Sequence, residues 1–92
     1  MLSLVTTTKF RKDYKRIKKR GYNLNLLEEV LDKLLRQEDL DMRYRDHALT
    51  GNYIGFRECH IEPDWLLIYA VTESELILTA TRTGTHSDLF DL

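Results

Sequence analysis

The sequence predicts an α+β fold: a small, mostly antiparallel sheet of about four strands, with two amino-terminal helices packed on one face and a short carboxy-terminal helical turn. Three observations lead there. Apolar residues recur at helical spacing as far as about Gln37. Beyond a polar stretch from Glu38 to Asn52 the period changes to that of strands. Within this second half the run Trp-Leu-Leu-Ile-Tyr-Ala-Val, from Trp65 to Val71, is apolar on both faces and so belongs in the interior of the sheet.

Leu2 to Thr6 reads as an opening strand, and the threonines after it can cap a helix from about Lys9 to Arg20. Phe10, Tyr14 and Ile17 stand at i, i+4 and i+7, so one stripe faces the core while basic residues occupy the rest. Gly21 tolerates the left-handed conformation that ends a helix. Asn25, with Glu28 three residues on, resembles a capping box. Leu26, Leu27, Val30, Leu31, Leu34 and Leu35 then give a broad apolar face, so the two helices form a hairpin laid on the sheet. Strands are expected near Tyr53 to His60, Trp65 to Val71 and Leu76 to Arg82. The turns at Pro63 and Asp64 and around Thr72 to Ser74 are short, which favours an antiparallel meander. Thr83 to Leu92 has room for one helical turn, anchored by Leu89 and Phe90.

A chain of 92 residues, 42% of them apolar, makes one domain from residue 1 to 92. Such a chain buries only about 60 to 65% of its unfolded surface. No stretch approaches the roughly 18 to 20 apolar residues of a membrane span, and the amino end lacks the features of a secretory signal. A cytoplasmic protein without membrane contact is expected. The single cysteine, Cys59, cannot form an internal disulfide. Beside His60 it lacks the ligand spacing of a zinc site, so neither metal nor cofactor is expected.

The net charge of −1 conceals a strong asymmetry. Lys9, Arg11, Lys12, Lys15, Arg16, Lys18, Lys19 and Arg20 place eight cations in twelve positions, opposed only by Asp13. The acids gather later, at Glu28, Glu29, Asp32, Glu38, Asp39 and Asp41. Because the field within a Debye length of about 8 Å is set locally, one such face attracts RNA even on a neutral protein. The plainer reading, a solvated helix side, fits the charge run equally well.

All three histidines lie at the ends of elements in the second half: His47 in the polar loop, His60 at the close of one strand, His86 just after another. A meander brings His60 and Asp64 to one rim, and the Thr-Gly-Thr segment after Arg82 could fold His86 back toward the sheet. Metal-free RNA cleavage needs a base for the ribose 2′-hydroxyl, positive charge for the phosphorane and a proton for the departing 5′-oxygen. Histidine and a perturbed carboxylate suit the proton transfers, each worth ~10²- to 10⁴-fold in rate. Arginine suits the phosphate because its fork grips two oxygens at once, which nominates Arg82, with Arg45 and Arg57 as substrate-binding partners. Trp65 or Phe90 could stack on a base, at ~1 to 3 kcal/mol each.

Every one of these residues also has an ordinary explanation. Histidines at strand ends are commonly structural, and Asp64 beside Pro63 is a common turn pair. Trp65 fits a core, and Phe90 fits a lid over the sheet. Arg82 could be a surface residue paired with Glu75 or Glu58.

The string from Asp46 to Phe90 adds a resemblance. It contains D-H-x-L-x-G, then G-[FY]-R-x-x-H-I-E-P-D-W-[IL]-L-I-Y, then R-T-G-T-H-x-x-L-F. These segments cover about half the chain and are similar to the YafQ branch of the RelE/ParE toxin superfamily, with five polar positions recurring in order. The resemblance implies a RelE-like fold and a ribosome-dependent endoribonuclease, the toxin of a type II toxin-antitoxin pair, which cuts mRNA in the 30S A site. It carries family catalytic positions onto His47, His60, Asp64 and His86, with Arg82 near the phosphate and Phe90 contributing. It also implies a cognate antitoxin, assembled with the toxin as a heterotetramer. The roles expected are His86 as general acid, Asp64 and His60 as the pair activating the 2′-hydroxyl, and His47 with Arg82 stabilising phosphate charge. Lys15, Lys18 and Lys19 are expected to dock on ribosomal RNA.

Two rivals stand from other classes. A ParE-like inhibitor of DNA gyrase on the same fold would bind a protein and cleave nothing, and would have no use for three histidines and an aspartate at strand ends. A bare RNA-binding or structural protein is the other.

Overall fold

The computed structural model describes residues 1–90. In chain order the elements are β1 (Ser3–Thr6), α1 (Thr8–Lys19), α2 (Leu24–Leu35), β2 (His47–Ala48), β3 (Arg57–Glu62), β4 (Trp65–Thr72), β5 (Ile77–Gly84) and α3 (His86–Phe90). The strands form one five-stranded sheet in the order β1-β5-β4-β3-β2, with the doubly apolar β4 at its centre. Strands β2 to β5 pair antiparallel, and β1 runs parallel to β5.

Three expectations are corrected. The sheet has five strands rather than about four, because β2 is only two residues long and too short to show an alternation. The strand expected from Tyr53 begins instead at Arg57. Gly51 and Gly55 take φ values of 65° and 91°, which bend the preceding segment into a 3₁₀ turn at Gly51–Tyr53. The cap of α2 is Asn23, whose side chain accepts from the Asn25 N–H at 3.1 Å, so the Asn25–Glu28 pair lies inside the helix. At α1 the expected signals hold: the Thr7 hydroxyl accepts from the Phe10 N–H at 2.9 Å, and Gly21 stands at φ 79° just past the end.

Alternation along the strands sorts side chains to two faces. Cys59, Ile61, Trp65, Leu67, Tyr69, Leu78 and Ala80 form the main core with Phe10 and Ile17 of α1 and Leu27, Val30 and Leu34 of α2. Side chains as fully enclosed as Ile17, Leu27 and Leu67 each contribute about 1.5 to 3 kcal/mol. The opposite face carries a smaller cluster of Leu66, Ile68 and Leu89, covered by Leu49, Tyr53, Phe56 and Phe90.

Strand β1 pairs with β5 only as far as Ala80, which leaves the rest of that edge without a neighbouring strand. Helix α1 takes over there. The Thr7 hydroxyl donates to the Thr81 carbonyl at 2.7 Å, and the Thr83 N–H donates to the Asp13 carboxylate at 3.1 Å. Unpaired backbone groups on a buried edge are costly, so these contacts fix α1 against the end of β5 from which α3 departs.

Candidate active site

Glu58 and His60 alternate with Cys59 and Ile61 along β3, and so face away from the two long helices. His47 lies opposite Glu58 in the β2–β3 register. His86 opens α3, which packs on the same face through Leu89. The three imidazoles form a row, with ring centroids 6.3 Å apart from His47 to His60 and 5.7 Å apart from His60 to His86.

Hydrogen bonds orient each ring. A backbone carbonyl can only accept, so His47 donates from Nδ1 to Arg45 O at 2.6 Å and His60 donates from Nδ1 to Pro63 O at 3.2 Å. Their Nε2 atoms face one carboxylate oxygen of Glu58, at 3.2 Å for His47 and 3.8 Å for His60. Glu58 is buried, and its other oxygen, Oε1, has no hydrogen-bond partner among the described residues. His86 donates from Nδ1 to Asp64 Oδ1 at 2.6 Å, and its backbone N–H donates to the same oxygen at 3.0 Å. These two bonds, the backbone one foremost, hold the Asp64 carboxyl below the usual carboxylate range. The arrangement leaves Nε2 of His86 as the nitrogen offered to a substrate.

Arg82 stands across from Ile68 and shares the face of the histidines. Its guanidinium neither pairs with Glu75 nor with Glu58; Nε and Nη2 donate to Asp13 at 2.7 and 3.1 Å. That pairing holds the guanidinium pKa above its ordinary value. Phe90 packs edge-on against Tyr53 at 5.9 Å and keeps part of its ring accessible. Arg45 is exposed and, with Arg43 and Pro63, lines a cleft of about 440 Å³ beside His60. Lys15, Lys18 and Lys19 are exposed on α1.

Three sequence expectations for the site need correction. Trp65 is 2% exposed, meets Tyr22 edge-on at 4.9 Å and donates from Nε1 to the Thr83 hydroxyl at 2.9 Å, so it belongs to the core and has no face for a base. Arg57 shares the helix-covered face with Cys59 and Tyr69 and donates to Asp46 at 3.1 Å, which separates it from the histidine row. Asp64 partners His86, and among the described residues the carboxylate that pairs with His60 is that of Glu58.

Sequence reasoning assigned no role at the site to Glu58, Asp13 or Asp88. Glu58 is two residues before His60 on a strand, which alone puts both on one face. Asp13 is three residues after Phe10 and four before Ile17, a lone acid beside the apolar stripe of a basic helix. Asp88 is bonded by Arg20 at 2.6 and 3.0 Å and by the Thr85 N–H at 3.0 Å, ties α3 to α1, and had no periodic signal.

Among the described residues, no group of three or more His, Cys, Asp or Glu side chains is disposed to hold a metal ion, and no helix is long and apolar enough to cross a membrane.

Comparison with known proteins gives close likenesses. The profile of the family described as "Bacterial toxin of type II toxin-antitoxin system, YafQ" matches residues 2–91. The mRNA interferase toxin YafQ of Escherichia coli K12 is 40% identical over 82 residues, 88% of this chain and 87% of that protein. The metal-bound toxin from Helicobacter pylori superposes with a TM-score of 0.93 at 43% identity, covering 98% of this chain and 100% of that one. The toxin in the E. coli DinJ-YafQ complex superposes with a TM-score of 0.88 at 36% identity, covering 98% and 99%.

Proposed function

This chain belongs to the YafQ family of bacterial type II toxin-antitoxin toxins, and from that membership we propose that it is an mRNA interferase, a ribosome-dependent endoribonuclease that cuts mRNA in the A site. The observation that carries the reading is the row of three imidazoles on one sheet face, each oriented by a defined hydrogen bond.

Chemistry at this row needs no group beyond the chain's own. His60, with Glu58 beside its Nε2, takes the proton from the ribose 2′-hydroxyl. The freed oxygen attacks the adjacent phosphorus, and Arg82 bonds the phosphorane oxygens, joined by His47 when its Nε2–H exchanges the Glu58 carboxylate for a phosphate oxygen. His86, held by Asp64, gives its Nε2 proton to the 5′-oxygen as the P–O5′ bond breaks. The products are a 2′,3′-cyclic phosphate and a 5′-hydroxyl end. Two proton transfers and a charge clamp supply several decades of rate together.

Helix geometry supports the docking surface. At about 100° per residue, Lys12, Lys15 and Lys19 fall on the side of α1 directly away from Phe10 and Ile17. Lys18 flanks that stripe, whereas Arg16 and Arg20 are engaged with Asp88. The stripe docks on ribosomal RNA. An antitoxin partner, as in the complex of the E. coli relative, completes the proposal.

Incubation of a defined transcript with the protein, with and without programmed ribosomes, tests the reading by primer extension. Cuts inside codons only on ribosomes are expected; an intact transcript under both conditions overturns it.

A further inference from the structure

We infer that Asp13 of helix α1 is the positioning residue of Arg82, fixing the guanidinium so that the edge Asp13 does not use is presented on the sheet face that carries the histidine row. The inference rests on Arg82 being the phosphate-binding group of the proposed reaction.

Asp13 is 2% exposed, and three donors converge on its carboxylate: Arg82 Nε at 2.7 Å, Arg82 Nη2 at 3.1 Å and the Thr83 N–H at 3.1 Å. Arg16 Nη1 stands farther off, at 3.9 Å. A carboxylate withdrawn from water is costly unless it is fully bonded, and an apolar side chain between Phe10 and Ile17 would pack the helix without that cost. What the acid adds is direction. A guanidinium has five N–H donors in a rigid plane, and the side-on grip uses the Nε hydrogen and one on Nη2. Nη1 and the second hydrogen of Nη2 are not engaged by Asp13; this end of the guanidinium lies beside the Tyr53 hydroxyl and is the fork that can bind two phosphate oxygens.

Because Asp13 offsets most of the arginine's charge, Arg82 then works through directed hydrogen bonds more than through net charge. The same carboxylate holds the backbone of Thr83, so the position of Arg82 is set from α1 at two adjacent residues of β5. Direction matters at this scale, since a displacement of about 1 Å at a reacting centre costs up to ~100-fold in rate.

A double-mutant cycle on single-turnover mRNA cleavage, at saturating ribosomes, tests this. Asp13→Asn preserves size and an acceptor for the Thr83 N–H but removes the charge that holds the fork. Cleavage is expected to fall ~10- to 100-fold with ribosome affinity unchanged, and to fall no further when Asp13→Asn is added to Arg82→Ala. An impaired Arg82→Ala beside an unimpaired Asp13→Asn, or losses that multiply, overturns the positioning role. An unimpaired Arg82→Ala overturns the phosphate role of Arg82 itself. The wild-type protein gives a check that needs no folded variant. The Arg82 Nε–H is expected to show a resolved, slowly exchanging nitrogen-15 resonance, and a rapidly exchanging, averaged one overturns the fixed geometry.

Discussion

One carboxylate oxygen of Asp64 accepts twice from His86, from ring Nδ1 at 2.6 Å and from the backbone N–H at 3.0 Å. The first bond fixes which ring nitrogen carries its proton inward, and the second fixes the residue from which the ring hangs. Asp64→Asn keeps the shape and withdraws the charge. Cleavage should fall about tenfold to hundredfold, less than the ~10²- to 10⁴-fold expected for losing the acid itself. Since Asp64 is exposed, thermal melting should be unchanged, and a matching loss of stability would speak against a purely orienting role. The depressed Asp64 pKa means the anchor is intact above the ordinary carboxylate value of about 3.9 and is lost only as pH falls below it.

Asp88 is held well below the usual carboxylate range, chiefly by the Arg20 guanidinium. A carboxyl with a depressed folded pKa adds stability that is present above its unfolded value and disappears as pH falls through the folded one. Arg20→Ala should therefore cost about 1 kcal/mol near neutrality, a few degrees of melting temperature, because Arg20 itself is more than one third exposed. The difference from wild type should hold down to about pH 4, near the ordinary carboxylate value, and shrink only in melts taken below it, toward about pH 2. A constant difference across that range would show that the pair is not the source.

Gly84 stands at φ 150°, and a Cβ there would meet Asp88 Oδ2 at 2.8 Å. Both the backbone and the α1–α3 tie object to a side chain at this position. Gly84→Ala should destabilise by roughly 1 to 3 kcal/mol and slow cleavage through displacement of His86. Wild-type melting and cleavage together would contradict this account of the β5–α3 junction.

Trp65→Phe removes the Nε1 donor to Thr83 from a buried site and shrinks a filled volume. A loss of about 1 to 3 kcal/mol in urea unfolding is expected, with RNA affinity of the folded fraction unchanged. Weaker RNA binding at full stability would restore the stacking role assigned to it on sequence grounds.

Reversing Lys15, Lys18 and Lys19 to Glu should weaken ribosome binding at low salt and flatten its dependence on salt concentration. Equal affinity and equal slope would remove α1 from the docking surface. Because all three side chains are exposed, stability should change little.

The fold was legible where a period repeats often enough to be seen. Helices α1 and α2 and strands β4 and β5 lie within a few residues of their expected bounds, because several turns or alternations support each. Strand β2 offers only His47 and Ala48 and has no period of its own; β3 supplies its register. At the site, chemistry nominated the histidines, while the partners that orient them were harder to foresee. Asp64 was linked to His60 by their nearness in sequence, yet the β5–α3 turn delivers His86 to it from 22 residues away. Asp13 and Arg82 are 69 positions apart, a pairing that only the truncated β1 edge explains. Trp65 misled because its type suits both stacking and packing; it lies on the same face of β4 as Leu67 and Tyr69, in the helix-covered core of a strand buried on both sides.

The central claim is that His86 delivers the proton to the departing 5′-oxygen. The most direct measurement replaces that bridging oxygen by sulfur, a leaving group that needs no proton, in mRNA on programmed ribosomes. With ordinary mRNA, His86→Ala should cleave at least ~100-fold more slowly than wild type while remaining folded; with the sulfur-substituted strand the two rates should nearly coincide. An equal deficit on both substrates would contradict the assignment.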